Sequence, residues 1–112
     1  MISNKLLANA ETAAAFLTLM GNEKRLMIVS YLTDGEMSVG AIAEKVQLSQ
    51  SALSQHLAKL RGLDLVETRR DRQMIYYSCK SEAVRELIQM LEGIFGDDDL
   101  SRMAYRLRRA GT

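Results

Sequence analysis

The chain has 112 residues, 47% of them hydrophobic and 26% charged, with a formal net charge of +1, a single cysteine and no proline. This length supports one modest core to which a partner can add burial. No apolar run approaches the roughly 18 residues of a membrane span, one cysteine cannot build an intramolecular disulfide framework, and Met1 to Leu7 lacks the basic and apolar regions of a secretory leader, so a cytoplasmic protein with no membrane partner is expected.

Residues 4–20 read as one helix with a small apolar stripe: Leu6, Ala10, Ala13, Ala14, Leu17 and Met20. Asn22 caps a second helix from Glu23 to Leu32. Its Leu26, Ile28, Val29 and Leu32 mark it as the central core helix, and Asp34-Gly35 ends it. Val39, Ile42, Ala43 and Val46 define a short third helix, Gln47 and Leu48 a tight turn, and Ser49 the N-cap of a fourth. In that fourth helix Leu53, Leu57 and Leu60 recur at i, i+4 and i+7 and form a buried seam. At about 100° per residue, Ser51, Ser54, Gln55 and Ala58 fall roughly 100–200° away from Leu53, with Gln50 beside the helix start.

Two runs rich in β-branched and aromatic residues follow, Leu65 to Arg70 and Met74 to Cys79, around the charged tip Asp71-Arg72-Gln73, which is a hairpin pattern. Ser81 then caps a last helix ending near Phe95, with Glu82 at its positive end. Val84, Leu87, Ile88, Leu91, Ile94 and Phe95 give it a wide apolar stripe. The expected organisation is one domain over residues 1–96 and a charged tail over 97–112. In the tail Asp99 can cap a short helix with Leu100, Met103 and Leu107 on one face and Arg102, Arg106 and Arg109 on another. A solvated extension, a basic arm near DNA and a brace across the dimer all fit that segment.

A short helix, a tight turn and a second helix with a polar outer face is the order of a helix-turn-helix that reads double-stranded DNA, and a hairpin directly after it makes a wing. The fold class expected is mainly α with a small β-hairpin wing. A helix that enters the major groove needs small residues for close approach and Gln or Ser to bond base edges. Gln50, Ser51, Ser54 and Gln55 are therefore the candidates for base and adjacent phosphate contacts, with Gln55 best placed for adenine. Lys45 and Lys59 are candidate phosphate partners and Arg70 and Arg72 candidates for phosphate or the minor groove at the wing, whereas Arg69 points inward along its strand or pairs with an acid. Residues 45–80 hold seven Lys or Arg against three acids, a local basic surface that the net charge conceals.

The small apolar stripe of the first helix (Leu6, Ala10, Ala13, Leu17) and that of the last (Leu87, Leu91, Ile94) are best explained by a second copy of the chain. A C2 homodimer also suits DNA, since two reading helices about 34 Å apart meet successive major grooves of a palindrome. The lone His56 lies roughly 60° off the leucine seam, as a boundary residue bonded within the fold would. Cys79 ends a strand and reads as a half-buried structural residue. One His, one Cys and no glycine-rich phosphate loop argue against an enzyme, and no cofactor is expected. A winged helix used as a protein-interaction module would need an apolar outer face on the reading helix.

The run Asn22-Glu23-Lys24-Arg25-Leu26, then Glu36 to Gly40, Leu48 to Leu57 and Arg69 to Tyr77 resembles the ArsR/SmtB family of bacterial winged-helix regulators, within it most of all the NolR/HlyU-type branch. The resemblance runs from about Ala13 to Phe95. It implies a homodimer through the first and last helices that represses by covering promoter DNA on the bacterial nucleoid. Metal-responsive members carry Cys ligands around the first motif helix, or Asp and His on the last. Here Met37 to Lys45 and Ser81 to Phe95 hold no Cys or His, so no metal site is expected. Dithiol-switched members pair a cysteine in the second helix with one at the end of the last, and the matching residues here are Ser30 and Gly96. A small organic ligand or oxidation of Cys79 stays open as a means of control.

Overall fold

Short polar side chains start nearly every helix of the chain. In the computed structural model, which describes residues 3–96 and 106–111, Ser3, Asn22, Ser38, Ser49 and Ser81 each accept a hydrogen bond from a backbone N–H of the first turn that follows. These bonds satisfy donors that a helix leaves without an intrahelical partner. The elements are α1 (Asn4–Ala8), α2 (Ala10–Met20), α3 (Glu23–Asp34), β1 (Met37–Ser38), α4 (Val39–Val46), α5 (Gln50–Gly62), β2 (Glu67–Asp71), β3 (Met74–Ser78) and α6 (Glu82–Phe95). The three strands form one antiparallel sheet in the order β1-β3-β2. Two compact units result, Met1–Lys80 and Ser81–Thr112.

In the first unit α3 is the central helix and packs on α2, α4, α5 and β3. Ile28 and Val29 on it, Ile42 and Val46 on α4, and Leu53 and Leu60 on α5 are fully buried. Burial of each such side chain contributes about 1.5–3 kcal/mol. Two cations of α3 act on helix ends: Lys24 Nζ donates to Val46 O at 2.7 Å, and buried Arg25 donates from Nε to Leu19 O at 2.7 Å. Each meets a carbonyl in the last turn of its helix, where backbone acceptors lack partners and positive charge is favoured.

The single first helix expected over residues 4–20 is two. Asn9 (φ −105°, ψ 18°) leaves helical geometry, and its Nδ2 donates to Lys5 O at 2.9 Å, so a short polar side chain competes locally with the helix ladder. Met20, expected in the apolar stripe, is 3% exposed and belongs to the core. The second helix runs two residues past the expected Leu32, to Asp34. Strand β1 was not anticipated, and the wing tip is tighter than expected because Asp71 pairs with Met74, leaving Arg72 and Gln73 alone as the turn.

In the second unit, α6 buries Val84, half-buries Leu87 and Leu91, and exposes Met90 and Ile94. Of the tail, Asp97 to Tyr105 lie outside the described residues, including Asp99, Leu100, Arg102 and Met103, whereas 106–110 are helical and exposed. No helix among the described residues is long and apolar enough to cross a membrane.

Candidate nucleic-acid interface

The leucine period of α5 sorts the helix into two sides. Leu53, Leu57 and Leu60 are at most 2% exposed, while Gln50, Ser51, Ser54, Gln55 and Ala58 face solvent. The approach to this helix is fixed by Gln47, which adopts a left-handed conformation (φ 57°, ψ 52°) as the C-cap of α4. Leu48 N–H turns back to Ala43 O at 3.0 Å, closing the end of α4. Ser49 Oγ then accepts from Ala52 N–H at 3.2 Å and lies 3.3 Å from Ser51 Oγ, so the first turn of α5 is tied down at its tip. Gln50, Ser54 and Gln55 make no side-chain hydrogen bond among the described residues, which leaves their polar atoms available to a ligand.

The hairpin sits beside this face. Gln50 and Ser54 of α5 share an open cleft of about 420 Å³ with Gln73 of the wing turn and Met74 and Ile75 of β3. Gln73 is a polar residue not among the candidates drawn from the sequence, where the nearby Arg70 and Arg72 stand out by charge. Its place in the polar tip between the two strand runs is the signal in the sequence that points to it. The remaining candidates, Lys45, Lys59, Arg70 and Arg72, are exposed and form no ion pair among the described residues. Arg69 does not join them. It chelates Glu36, and Arg70, its neighbour in an alternating strand, faces the other side of the sheet. The carboxyl of Glu36 is held below its ordinary range, first by that hydrogen bond and further by the charges of Arg69 and Lys80.

Arg72 has φ 59° in the first turn position of the hairpin, where glycine is the usual residue. Arg72→Gly removes a strain of about 1–2 kcal/mol but adds a comparable freedom to the unfolded chain, about 0.5–1 kcal/mol, so the melting temperature should move by only a few degrees. The same variant deletes a cation at the wing tip. The slope of log affinity for DNA against log salt should then flatten by about one per wing, and an unchanged slope would show that Arg72 meets no phosphate.

His56, on the inner flank of α5, places Nδ1 3.4 Å from Nη1 of Arg25. Burial, then the charges of Arg25 and Lys59, lower its pKa below the ordinary histidine value, so near neutral pH it is an uncharged imidazole that can accept from Arg25. This is the boundary role expected. Cys79 is 3% exposed, more deeply buried than anticipated.

The expected partner-facing residues of α1 and α2 are open: Leu6 is 52% and Leu17 59% exposed, Ala10 is exposed and Ala13 half-buried. On α6, Ile94 is 38% exposed.

A sequence profile of the bacterial regulatory proteins of the arsR family matches residues 22–68, the span from the cap of α3 through α5 into β2. The nodulation protein NolR of Rhizobium meliloti is 59% identical over 90 residues, covering 80% of this chain and 74% of that protein. The chain belongs to the arsR family. Within the family it lies with the NolR/HlyU branch: the transcriptional activator HlyU of Vibrio cholerae is 44% identical over 78% of this chain and 81% of its own length. The crystal structure of NolR from Sinorhizobium fredii superposes with a TM-score of 0.77 at 53% identity, covering 86% of this chain and 96% of that one. A homodimeric winged helix-turn-helix domain from Mycobacterium bovis, solved by NMR, superposes with a TM-score of 0.70 at 28% identity over 88% and 91%. This ArsR-family member is a DNA-binding transcriptional regulator and not an enzyme.

Proposed function

We propose that the regulator is a homodimeric repressor that binds a palindromic operator, with α5 of each subunit in the major groove and each wing on the flanking backbone. The observation that carries this reading is the exposed, uncharged face of Gln50, Ser51, Ser54, Gln55 and Ala58 set over a fully buried leucine seam. Small and amide side chains permit close approach and base-edge bonding, while Lys45, Lys59, Arg70 and Arg72 supply phosphate contacts around them. The second copy covers the open apolar residues of the first helices, Leu6, Ala10, Ala13 and Leu17, and those of α6, Leu87, Leu91 and Ile94. A homodimeric neighbour of the same fold supports the dimer itself. DNA binding and dimerisation fall within residues 1–96, and the protein works at the bacterial nucleoid in the cytoplasm.

Control by metal or by a dithiol pair is not part of this proposal. Among the described residues no three His, Cys, Asp or Glu side chains group as metal ligands. At Ser30 and Gly96, the positions that the family resemblance matches to a dithiol pair, the Ser30 hydroxyl donates to Leu26 O at 2.8 Å, and a Cβ on Gly96 would lie 2.5 Å from Glu92 O.

Selection of bound duplexes from a random DNA pool, followed by binding to the recovered sequence over a range of salt, tests the reading. A palindrome with half-sites about one helical turn apart and a steep loss of affinity with salt are expected. A shallow salt dependence or a consensus without symmetry would overturn it.

A further inference from the structure

We infer that Arg69 is a positioning residue of the wing and not a phosphate contact: together with Glu36 and Tyr76 it clamps the hairpin at a fixed angle to the helix-turn-helix. The inference rests on the DNA-binding reading above. Arg69 Nη2 lies 2.7 Å from Glu36 Oε1 and Nε lies 3.0 Å from Oε2, a two-bond fork, while the guanidinium carbon sits 4.6 Å from the centroid of the Tyr76 ring. The cross-strand register explains how one side chain reaches both. Arg69 of β2 pairs with Tyr76 of β3, and Tyr76 pairs on its other edge with Ser38 of β1. The clamp therefore runs from β2, over the ring on β3, to the residue just before β1.

Its far end has a particular address. Glu36 stands two residues before Ser38, whose hydroxyl caps α4 by accepting from Ala41 N–H at 3.2 Å. A planar guanidinium bonded twice to a carboxylate fixes orientation as well as distance, and the ring beneath adds a third point of contact. An exposed ion pair adds little to global stability; what it restrains is the direction in which Arg70, Arg72 and Gln73 are presented beside α5. Pre-ordering a mobile element in its bound pose raises affinity by lowering the entropy lost on binding.

The test measures Glu36→Gln, Arg69→Lys, Arg69→Gln and the swapped pair Glu36→Arg/Arg69→Glu against the palindromic duplex recovered by selection with the wild-type protein. Glu36→Gln should weaken binding by about three- to tenfold, although removing an anion beside DNA would by electrostatics alone strengthen it. Arg69→Lys should lose a similar factor because an ammonium cannot form the fork. The swapped pair should recover part of the loss, and the salt slope should match wild type throughout. Hydrogen exchange of the free protein should accelerate at β2 and β3 in Glu36→Gln while α5 is unchanged. Binding by Glu36→Gln as tight as wild type, or a slope lower by about one per wing in Arg69→Gln, would overturn the inference. If wild type selects no duplex, the DNA-binding reading fails, and the exchange experiment still decides the clamp: unaltered exchange at the wing in Glu36→Gln sinks it.

Discussion

Leu17→Asp is expected to halve the mass of the protein in sedimentation equilibrium and to weaken binding to a full palindrome by about 10²–10⁴-fold, while binding to an isolated half-site is unchanged. The side chain is 59% exposed on α2, so within one subunit the substitution removes little packing and should cost the subunit no more than about 1 kcal/mol. In the proposed dimer the same position is covered by the second copy, where an unpaired carboxylate is strongly unfavourable. The loss of affinity follows from valency. Two linked reading helices make the second half-site contact intramolecular, and separating them forfeits that effective concentration, which accounts for the range given. An unchanged mass would place the dimer elsewhere, and a parallel loss at the single half-site would mean that the variant damages the fold.

Leu53→Ala should be among the most damaging single truncations within the reading helix. Leu53 is 0% exposed and stands directly under the turn that carries Gln50 and Ser54. Large-to-small replacement at such a site costs about 2–5 kcal/mol, the transfer term plus the cavity left behind. Set against a total stability of about 5–15 kcal/mol for a domain of ordinary size, this is a large fraction. Urea denaturation monitored by circular dichroism measures it, with a lower midpoint at an unchanged slope as the expected outcome. Gln55→Ala, two residues further on the same helix but exposed, supplies the contrast. It should leave the urea midpoint in place and cost about 1–3 kcal/mol of DNA binding, roughly 5- to 150-fold, with selectivity relaxed at one base. A stable Leu53→Ala would mean that α5 is seated by the wing and turn more than by its seam.

The contrast between Leu53 and Gln55 was legible in the chain itself. A helix of known pitch converts spacing directly into sides, so the i, i+4, i+7 leucines and the Ser/Gln face follow from order alone. The caps at Asn22, Ser49 and Ser81 follow for the same reason, because a side chain that bonds an N–H three residues ahead needs nothing distant to act. The hairpin was legible as a pattern, and its arginines as candidates, because alternation and charge are local properties.

The rest was settled by contacts between residues far apart in the chain. Strand β1 has two residues, too few to carry a periodic signal, and it exists because Met37 and Ser38 find Tyr77 and Tyr76 across the sheet. Arg69 stood apart in the chain as a residue that points inward or pairs with an acid, but which acid was decided only when the fold brought Glu36, 33 positions away, to its guanidinium. Nothing local to Lys24 and Arg25 marks their role, and only packing gives them Val46 O and Leu19 O as acceptors. The left-handed backbone at Arg72 is imposed by the register of two strands. Sequence alone thus determined which faces the elements present, since each is a local consequence of backbone geometry. Which cations remain available to DNA and which hold the molecule in shape was decided by tertiary structure, because a charge takes the partner that the fold brings within bonding distance.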